Sequence, residues 1–509
     1  MDMCIGRDDP PASPQDAIGR RVRWLAIAAG ARPSDSGFSR MFPPLAGPEH
    51  RLPEGAPVLA ALAALAASMA EPEPADALEG RGDGTLPAGY TYLIQFVLND
   101  LVWERALPAG PERPDFAPLA GLDGLLNRRS GQLDLDSLYD APRDPAAIDR
   151  MLLGPMSSPP VAMPSLPARS GLPPFLSAPP LAPVPDTAGR RAAPHDPPRD
   201  LPRFGASRDP SRDRRPRMAD ARNDAVLMLS QLHVAFLKAH NALVATGLGF
   251  EAARRALRRR YQALVLDDLA RRLCAADVYA AVRHGPPTGR PASRFLPVEF
   301  AAAAFVLAPS LMRAGYGVSP AMPNLPRALL APRVILGAAG RGPAALPPER
   351  AIAWERFLPL APRPPQPARR LDTVLAGAAE ASIEVATRQL MGGYRLGLPT
   401  GQAVARHLDL APLCGPALLA ALPPAQRAAA APFAQATPLW FYILAEAGDP
   451  SGPDGRHLGP VGSRIVAETL RTLVERAEGS ILAGDPSADC AGFTLCDLIR
   501  LAGGADPTG

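Results

Sequence analysis

The sequence is most unusual in what it lacks. Among its 54 lysine and arginine residues, only Lys238 is a lysine, and the formal net charge is only +4. Basic residues that are nearly all arginine indicate a compositional bias, and so small a net charge is not typical of a surface that binds nucleic acid. Aromatic residues make up 5% and hydrophobic residues 47% of the 509-residue chain. We therefore expect a globular protein with a large core and no nucleic-acid partner.

Cysteine is scarce, and its pattern excludes two kinds of stabilised domain. The five cysteines are Cys4, Cys274, Cys414, Cys490 and Cys496. An odd number of cysteines without a CxxC pair argues against a disulfide framework and against a structural zinc site. A reducing compartment fits this pattern, so we expect a cytoplasmic protein.

No long apolar run marks a membrane segment. The short run 24–31 follows three arginines, Arg20, Arg21 and Arg23, in the order found in a secretory signal. It is at the short limit for a signal and much too short to span a bilayer. We predict no transmembrane segment, and export is the alternative to a cytoplasmic location.

Proline, in contrast, is abundant and unevenly distributed. The chain has 64 prolines, and 17 of the 63 residues from 155 to 217 are proline. No helical or strand period is visible there, which predicts a Pro- and Arg-rich disordered insertion. The predicted organisation is an N-terminal tail over 1–37 and one large domain over 38–509 that contains the insertion 155–217.

Most of the remaining sequence has helical periodicity. Between residues 226 and 243 a set recurs at alternating steps of three and four, which places it on one face of a helix. The set is Val226, Leu229, His233, Phe236, His240 and Leu243. Further helices are predicted over 57–69, 251–274, 297–312, 378–391 and 460–482. Because no repeated β–α alternation is present, the predicted fold class is mainly α.

Seven motifs in a fixed order carry a family resemblance. They read FSRMFPPL at 38–45, GYTYLIQF at 89–96, LDLDSLY at 133–139, ARNDAVLMLSQLHVAFLKAHN at 221–241, LPVEFAAAAF at 296–305, GYRLGLPTGQAVA at 393–405 and TPLWFYILAEA at 437–447. Together they resemble the bacterial branch of the animal-type haem peroxidases, the superfamily of myeloperoxidase and cyclooxygenase. The resemblance begins near residue 38 and extends to the C-terminus. It implies a helical peroxidase fold and a haem cofactor.

The resemblance also implies where the distal catalytic residues would lie. In this family a distal histidine moves a proton between the peroxide oxygens and an arginine stabilises the developing charge. This chain retains Gln95 and Arg222 but has Asn99 in place of the distal histidine. Leu98 and Ala225 stand where acidic residues would link haem covalently. Because the Asn99 amide cannot shuttle a proton, the catalytic base is predicted to be lost.

The proximal positions have changed as well. Pro309 stands in place of the histidine that binds iron, and Gln389 stands in place of the asparagine that orients it. Proline has no lone pair for iron, and inside a continuous helix it costs about 3 kcal/mol. The sequence contains no histidine over 51–194 or over 285–406, so no shift of alignment supplies either ligand.

Two functional hypotheses follow from these losses. The first is a catalytically inactive pseudoperoxidase that does not hold haem and acts by binding a partner protein or a small apolar ligand. The second is a haem-binding peroxidase or oxygenase with unorthodox iron ligation, through Met312, Met391, His284 or a side chain of the insertion.

One ligand set of the family is retained. The family's calcium site corresponds here to Asp100, Ser130, Gln132 through its carbonyl, Asp134 and Asp136. Calcium takes six to eight oxygen ligands, which such alternating side chains and carbonyls can supply. We therefore expect a calcium site here. The alternative is that the last two aspartates cap a helix that begins near Ser137.

The two histidines of the helix over 226–243 are poor candidates for a metal site. His233 and His240 lie seven residues apart, about 10.5 Å along a helix, which is too far for both to bind one ion. We predict that they are hydrogen-bonded core residues. Arg222, without haem or peroxide to contact, is predicted to pair with Asp220 or Asp224.

Overall fold

The structure is a computed structural model, and its described part is mainly helical. It describes residues 37–71, 82–103, 122, 125, 127–139, 143–145, 147–154, 200–205, 209, 213–286, 296–332, 345–347, 350–483 and 490–503. Within these ranges the strands are short and the helices dominate, so the predicted mainly α class is confirmed. Residues 1–36 of the predicted tail and 155–199 of the predicted insertion lie outside the described residues.

The α-helices share the core of the molecule. They are α1 (Ala56–Ser68), α2 (Gly89–Leu101), α3 (Asp136–Tyr139), α4 (Leu227–Ala245), α5 (Phe250–Ala263), α6 (Ala270–Leu273), α7 (Ala276–His284), α8 (Ala308–Leu311), α9 (Ala379–Arg395), α10 (Gly401–His407), α11 (Gly415–Ala421), α12 (Pro424–Ala430), α13 (Leu439–Gly448), α14 (Pro460–Arg476) and α15 (Leu495–Leu501). The π-helical segments are Leu264–Leu269 and Phe300–Ala304, and the 3-10 segments are Pro43–Ala46, Pro48–His50, Ala221–Asp224, Arg327–Leu329, Trp354–Arg356 and Ala431–Phe433. None of the described helices combines the length and apolar character that a membrane crossing requires.

The strands form isolated two-stranded pairs. They are β1 (Phe38–Ser39), β2 (Asp83–Pro87), β3 (Arg143–Asp144), β4 (Ala147–Met151), β5 (Leu296–Pro297), β6 (Gly315–Tyr316), β7 (Leu325–Pro326) and β8 (Pro367–Arg369). β1 pairs in parallel with β5, and the antiparallel pairs are β2 with β8, β3 with β4 and β6 with β7. Two of these pairs join segments that are more than 200 residues apart in the sequence. The described strand pairs therefore connect loops around the helices and do not form a separate sheet layer.

The core places α2 directly against α4. Phe96 of α2 stacks on Phe236 of α4 with ring centroids 4.5 Å apart, and Tyr261 of α5 meets both rings edge-on. All three side chains are fully buried. Stacked and edge-to-face geometries are the favourable ones for aromatic pairs. These contacts fix the orientation of the two helices on which the matching distal motifs lie.

The predicted helices agree with the structure in most places. The segments predicted over 57–69, 226–243 and 378–391 correspond to α1, α4 and α9. The segment predicted over 251–274 is helical throughout, but its middle, Leu264–Leu269, is π-helical. The helix predicted over 460–482 ends earlier, at Arg476.

The prediction of one helix over 297–312 is wrong, and Pro309 provides the physical reason. The π-helical segment ends at Ala304, and α8 begins at Ala308 with Pro309 in its first turn. A proline in a first turn forfeits no helical hydrogen bond, whereas in a helix interior it removes one and clashes with the preceding turn. In the interruption, the carbonyl of Val306 accepts a hydrogen bond from Trp440 Nε1 at 2.8 Å.

Two residues near the end of the predicted insertion, Asp200 and Arg203, are bonded to the folded chain. Asp200 is fully buried and accepts a hydrogen bond from the backbone N–H of Leu346 at 2.9 Å. Arg203 donates to Asp200 at 2.9 Å and to Asp224 at 2.8 Å. These contacts attach the end of the segment to the folded chain, although the sequence pattern placed it in a disordered insertion.

Candidate functional site

The positions that match the distal side form a chain of hydrogen-bonded amides. Asn99, which is 3% exposed, accepts a hydrogen bond from Gln95 Nε2 at 2.9 Å. Its Nδ2 donates to Asn223 Oδ1, also at 2.9 Å. Nδ2 of Asn223 lies 3.2 Å from His233 Nδ1. Both polar atoms of the Asn99 side chain therefore have partners inside the protein.

Arg222 is paired with Asp220, one of the two predicted partners. Its Nη2 lies 2.6 Å from Asp220 Oδ2 and also donates to the backbone carbonyl of Asn99 at 2.9 Å. Arg129 approaches the same carboxylate to 2.8 Å. Burial raises the pKa of Asp220, but the hydrogen bonds and charges of the two arginines outweigh it and lower the pKa below its ordinary value. The other predicted partner, Asp224, pairs with Arg203 at 2.8 Å.

The two positions that match the haem-linking acids carry no acid. Leu98 is partly buried and packs against the core, and Ala225 is exposed after the 3-10 segment Ala221–Asp224. Beside them, the Arg222 guanidinium carbon lies 5.1 Å from the ring centroid of Trp103. We call the region of Gln95, Asn99, Asp220 and Arg222 the distal side.

On the proximal side, Pro309 is half-buried in α8, and α8 packs directly against α2. The next residue, Ser310, is buried and donates from Oγ to the carbonyl of Asp372 at 2.7 Å. Gln389 lies on α9, where it is half-buried and lines a pocket with Arg51 and Trp440.

The predicted calcium ligands lie close together, but their side-chain oxygens accept hydrogen bonds from protein groups. Asp100 accepts hydrogen bonds from the Ser137 hydroxyl at 2.7 Å and from the backbone N–H groups of Leu135 and Ser137 at 3.3 Å. Asp134 accepts from Ser130 Oγ at 3.0 Å. Within the described ranges, no three His, Cys, Asp or Glu side chains are placed to hold one metal ion.

The same loop also has the features of a helix cap. Asp134 Oδ1 accepts from the backbone N–H of Asp136 at 3.2 Å, at the start of α3. Ser130 N donates to Asp136, and the exposed Gln132 donates its N–H to Ser130 Oγ. Burial, and next the charge of Asp134, raises the pKa of Asp100 to about 7. Burial and the charge of Asp100 raise the pKa of Asp136 to about 8.

His233 and His240 are hydrogen-bonded core residues, as predicted. Both are fully buried. The ring nitrogens of His240 lie 3.1 Å from the Tyr139 hydroxyl and 3.0 Å from the Asp149 carbonyl. Burial lowers the pKa of His233 to about 3, so this imidazole is neutral at physiological pH.

Comparison with known proteins identifies the fold. No protein-family model matches the chain, and no curated protein matches it. Among solved structures, peroxidase A from Dictyostelium discoideum is similar over 88% of this chain and 90% of its own, with a TM-score of 0.52 and 12% sequence identity. The chain has the helical fold of the animal haem peroxidases. This confirms the fold that the seven motifs imply.

Two fatty acid alpha-dioxygenases match with lower TM-scores. The enzyme from Oryza sativa has a TM-score of 0.47 at 10% identity, over 87% of this chain and 76% of its own. The enzyme from Arabidopsis thaliana has a TM-score of 0.46 at 11% identity, over 86% of this chain and 74% of its own. At such identities a likeness to the haem peroxidase fold carries no activity with it. The bacterial branch and the loss of the haem ligands stay predictions.

Haem held in the manner of the peroxidases does not fit the residues at the matching positions. Haem iron needs an axial ligand with a lone pair, and the porphyrin needs space between the two helices that face it. Pro309 provides no such ligand, Asn99 is already hydrogen-bonded at both side-chain atoms, and α2 and α8 are in direct contact. Leu93 and Val97 of α2 are also fully buried by protein.

The three residues named as unorthodox iron ligands lie in different places. Met312 ends α8, and Met391 lies on α9; both are half-buried against the core. His284 is exposed at the end of α7. Side chains of the insertion over 155–199 lie outside the described residues.

Sequence reasoning missed two residues that organise the distal side of this peroxidase fold. Asn223 connects Asn99 to His233, and its place directly after Arg222 in the ARND motif was a usable signal. Arg129 shares Asp220 with Arg222 and also pairs with Asp136 at 3.2 Å. Nothing in the local sequence pattern indicates those two ion pairs.

Proposed function

We propose that this protein is a pseudoperoxidase, a chain with the haem peroxidase fold that neither holds haem in the family manner nor turns over peroxide. It acts by binding a partner protein or a small apolar ligand. The observation that carries the proposal is the hydrogen bonding of Asn99, whose amide is engaged on both sides by Gln95 and Asn223. An amide in the place of the catalytic base can neither accept nor return a proton at physiological pH.

The state of Arg222 supports the same proposal. In a peroxidase, an arginine here stabilises negative charge that develops on the peroxide. Arg222 instead forms an ion pair at 2.6 Å with Asp220, whose carboxylate is fully buried. The carboxylate already neutralises much of the positive charge that an oxyanion would need. The retained arginine is thus explained by an internal structural role.

A spectroscopic and kinetic experiment tests the proposal. Purified protein is incubated with one equivalent of haemin, desalted, and examined for a Soret band and for hydrogen-peroxide-dependent oxidation of guaiacol. We expect no stoichiometric band after desalting and no turnover above a protein-free haemin control, because Pro309 has no lone pair for iron.

A band that persists at one haem per chain, with turnover of even about 1 per second, would overturn the proposal. In that case Met312→Ala and Met391→Ala would be compared with the exposed control Arg363→Gln. Loss of the band in one methionine variant alone would identify that thioether as the iron ligand, as the alternative hypothesis requires.

We further propose that Asp100, Ser130, Gln132, Asp134 and Asp136 hold calcium in solution. Burial raises the pKa of all three aspartates, and the charge of a neighbouring aspartate adds to this at Asp100 and Asp136, so their proximity supports a bound cation in addition to Arg129. The competing explanation is that Asp100 and Asp134 serve only as caps for α3. A calcium-dependent melting experiment, argued below, separates the two.

We also propose a cytoplasmic location and no nucleic-acid partner. The odd number of cysteines without a CxxC pair supports the location, and the net charge of +4 argues against nucleic acid. The division of the chain into a domain over 38–509 and an insertion over 155–217 within it also stays a prediction.

A further inference from the structure

The excess positive charge of the chain is concentrated on one helix. α5 contains five arginines and one glutamate, so its formal charge equals the +4 of the whole chain. All other residues together therefore carry equal numbers of acidic and basic charges. The apolar side chains of α5 face the core, which leaves its polar side chains on the outward side of the helix. The arginines, none of which is buried, are Arg254, Arg255, Arg258, Arg259 and Arg260.

The spacing of these arginines does not stabilise the helix. Arg254 and Arg258 lie four residues apart, as do Arg255 and Arg259, and like charges at this spacing repel and destabilise a helix. The one acid of α5, Glu251, pairs with Arg254 at 2.7 Å. Arg255 is exposed and forms no ion pair in the part of the chain that the structure describes. An anionic partner outside the chain would relieve this repulsion.

A β-hairpin extends the basic surface beside the N-terminal end of α5. The hairpin consists of β3 and β4, and Phe250 N at the start of α5 donates to Asp149 of β4 at 3.1 Å. The guanidinium carbon of Arg143 on β3 lies 3.6 Å from the centroid of the Phe250 ring. Ile148 and Arg150 lie two residues apart on β4, so they share a face of the strand, and both are exposed. We call α5 together with this hairpin the arginine face.

Ile148 gives the arginine face an apolar element. Its side chain is 70% exposed, and the other exposed large apolar side chain among the described residues is Phe204. Burial of an apolar side chain in an apolar phase is favourable. An exposed isoleucine surrounded by arginines therefore matches the two phases of a lipid interface, which are the apolar acyl chains and the anionic headgroups.

Carboxylates on and beside the arginine face are fewer than its arginines. Two of them are paired, Glu251 with Arg254 and Glu478 with Arg258 at 3.8 Å. The face carries seven arginines, five on α5 and two on the hairpin, against the four acids Asp144, Asp149, Glu251 and Glu478. Clusters of this number of basic residues are typical of surfaces that bind anionic phospholipids.

The hairpin offers no open edge to a peptide strand. One side of β4 pairs with β3, and on the other side Met151 N donates to Asn241 Oδ1 at 2.7 Å. The Asp149 carbonyl lies 3.0 Å from His240 Nε2. Peptides are commonly recognised by adding a strand to a sheet edge or by filling a groove. The outward side of a helix beside a hairpin with paired edges instead favours a broad partner surface.

We propose that the arginine face docks the protein on an anionic phospholipid membrane. The guanidinium groups donate paired hydrogen bonds to headgroup phosphates, and Ile148 enters the apolar part of the interface. The inference goes beyond the binding role proposed above and does not depend on it, because it uses neither Asn99 nor Pro309. The competing explanation is that the arginines form a solvated face without a ligand.

Flotation of the full chain with lipid vesicles tests the proposal. Vesicles of phosphatidylcholine alone are compared with vesicles of phosphatidylcholine and phosphatidylglycerol in equal amounts. We expect binding to the anionic vesicles only, and release at high salt because the charges are screened. Arg255→Gln should weaken binding about fivefold, which is the contribution of one arginine near an anionic surface. Arg363→Gln, which changes an exposed arginine outside the arginine face, should leave binding unchanged.

Ile148→Ser provides a second, charge-independent test. It removes the apolar element and should weaken binding to the anionic vesicles about tenfold. Arg255→Lys keeps the charge and should retain most of the affinity that Arg255→Gln loses. Both positions are exposed, so the melting temperature of each variant should equal that of the unsubstituted chain and show that the variants are folded.

Three outcomes would overturn the proposal. They are absence of binding to the anionic vesicles, equal binding to both kinds of vesicle, and binding that neither Arg255→Gln nor Ile148→Ser changes. Tighter binding to soluble polyglutamate than to the anionic vesicles, unaffected by Ile148→Ser, would identify a surface for acidic polypeptides and refute the lipid assignment as well. None of these results alters the haem and guaiacol measurements, because those concern α2 and α8.

Discussion

The distal side and the pocket side of the molecule hold charge in opposite ways. On the distal side, Asp220 lies between Arg222 and Arg129, and each guanidinium is within 2.8 Å of a carboxylate oxygen. On the pocket side, formed by α9, α10, α13 and the chain at Arg51, two ionisable groups have no counter-ion among the described residues. Among the described residues Arg51 has no carboxylate partner, and Glu446 of α13 has no cation partner.

This difference indicates where an external ligand can bind with a gain in free energy. A buried ion pair must be broken before either of its members can bind anything else, and that costs several kcal/mol. A charge without a partner retains its full capacity for a ligand of opposite charge. The charges around Asp220 are therefore paired within the protein, whereas Arg51 and Gln389 beside α9 have no such partner among the described residues.

The largest expected effect comes from removing the Asp220 carboxylate, which Arg222 and Arg129 share. Asp220→Ala leaves two arginines without their counter-ion, and the Arg129 side chain is only 4% exposed. Loss of one member of a buried ion pair costs about 3–5 kcal/mol, so we expect a decrease of that size in the free energy of unfolding. Chemical denaturation at neutral pH measures it.

The matched control for Asp220→Ala is Glu384→Ala, which removes the partner of Arg388 in a pair whose side chains are 60% and 70% exposed. Exposed pairs contribute little, so we expect a change within about 0.5 kcal/mol. If the two variants were equally stable, the distal side would not be the charge-paired region described above.

How far the sequence predicts this structure depends on whether a feature is local. Helix positions followed from periodicity, and the partners of Arg222 were reduced to Asp220 or Asp224 because both lie within two residues of it. The break before α8 could also have been predicted from the sequence, because a proline such as Pro309 is favoured only in the first turn of a helix. The fixed order of the motifs predicted the fold because it covers most of the chain.

The features that could not be predicted from the sequence depend on contacts between segments that lie far apart in the chain. Arg129 approaches Asp220 from a loop 91 positions earlier, and Arg51 approaches Gly397 from the other end of the domain. Neither contact has a sequence period or a spacing rule. The two carboxylates of Asp220 and Glu446 look equivalent in the sequence, yet their pKa values shift in opposite directions because only one has arginines beside it.

A calcium-dependent melting experiment tests the distal side further, because a bound ion would add to its charge pairing. If Asp100, Ser130 and Asp134 converge on calcium, binding stabilises the fold by mass action. A hundredfold excess over the dissociation constant corresponds to about 2.7 kcal/mol, or several degrees in melting temperature. Asp134→Ala should abolish the difference between millimolar calcium and chelator.

The capping explanation predicts a different outcome for the same variant. If Asp134 only accepts hydrogen bonds from Ser130 and Asp136, as in the structure, Asp134→Ala lowers the melting temperature equally in calcium and in chelator. Equal melting temperatures of the unsubstituted chain in the two solutions would refute the calcium proposal and leave the fold assignment intact.

The smallest expected effect comes from Glu446, the buried acid of the pocket side. Its carboxylate accepts a hydrogen bond from Val461 N at 3.0 Å at the start of α14. Burial, with a smaller contribution from the charge of Asp449, raises its pKa to about 8 despite the backbone hydrogen bonds. Because the folded pKa exceeds the ordinary 4.5, the stability that the protonated acid contributes is complete below about pH 4.5 and is lost as the pH rises toward 8. We therefore expect the free energy of unfolding to fall between pH 5 and 8, with a slope from this group of at most about 1.4 kcal/mol per pH unit.

The variant Glu446→Gln tests this expectation, because it retains a hydrogen-bond acceptor and removes the titration. Its denaturation curves from pH 5 to 8 should show a shallower decrease in the free energy of unfolding. The exposed control Glu384→Gln should reproduce the original slope. Parallel curves for the chain and Glu446→Gln would mean that this carboxyl titrates normally, and that the pocket side does not hold an isolated buried acid.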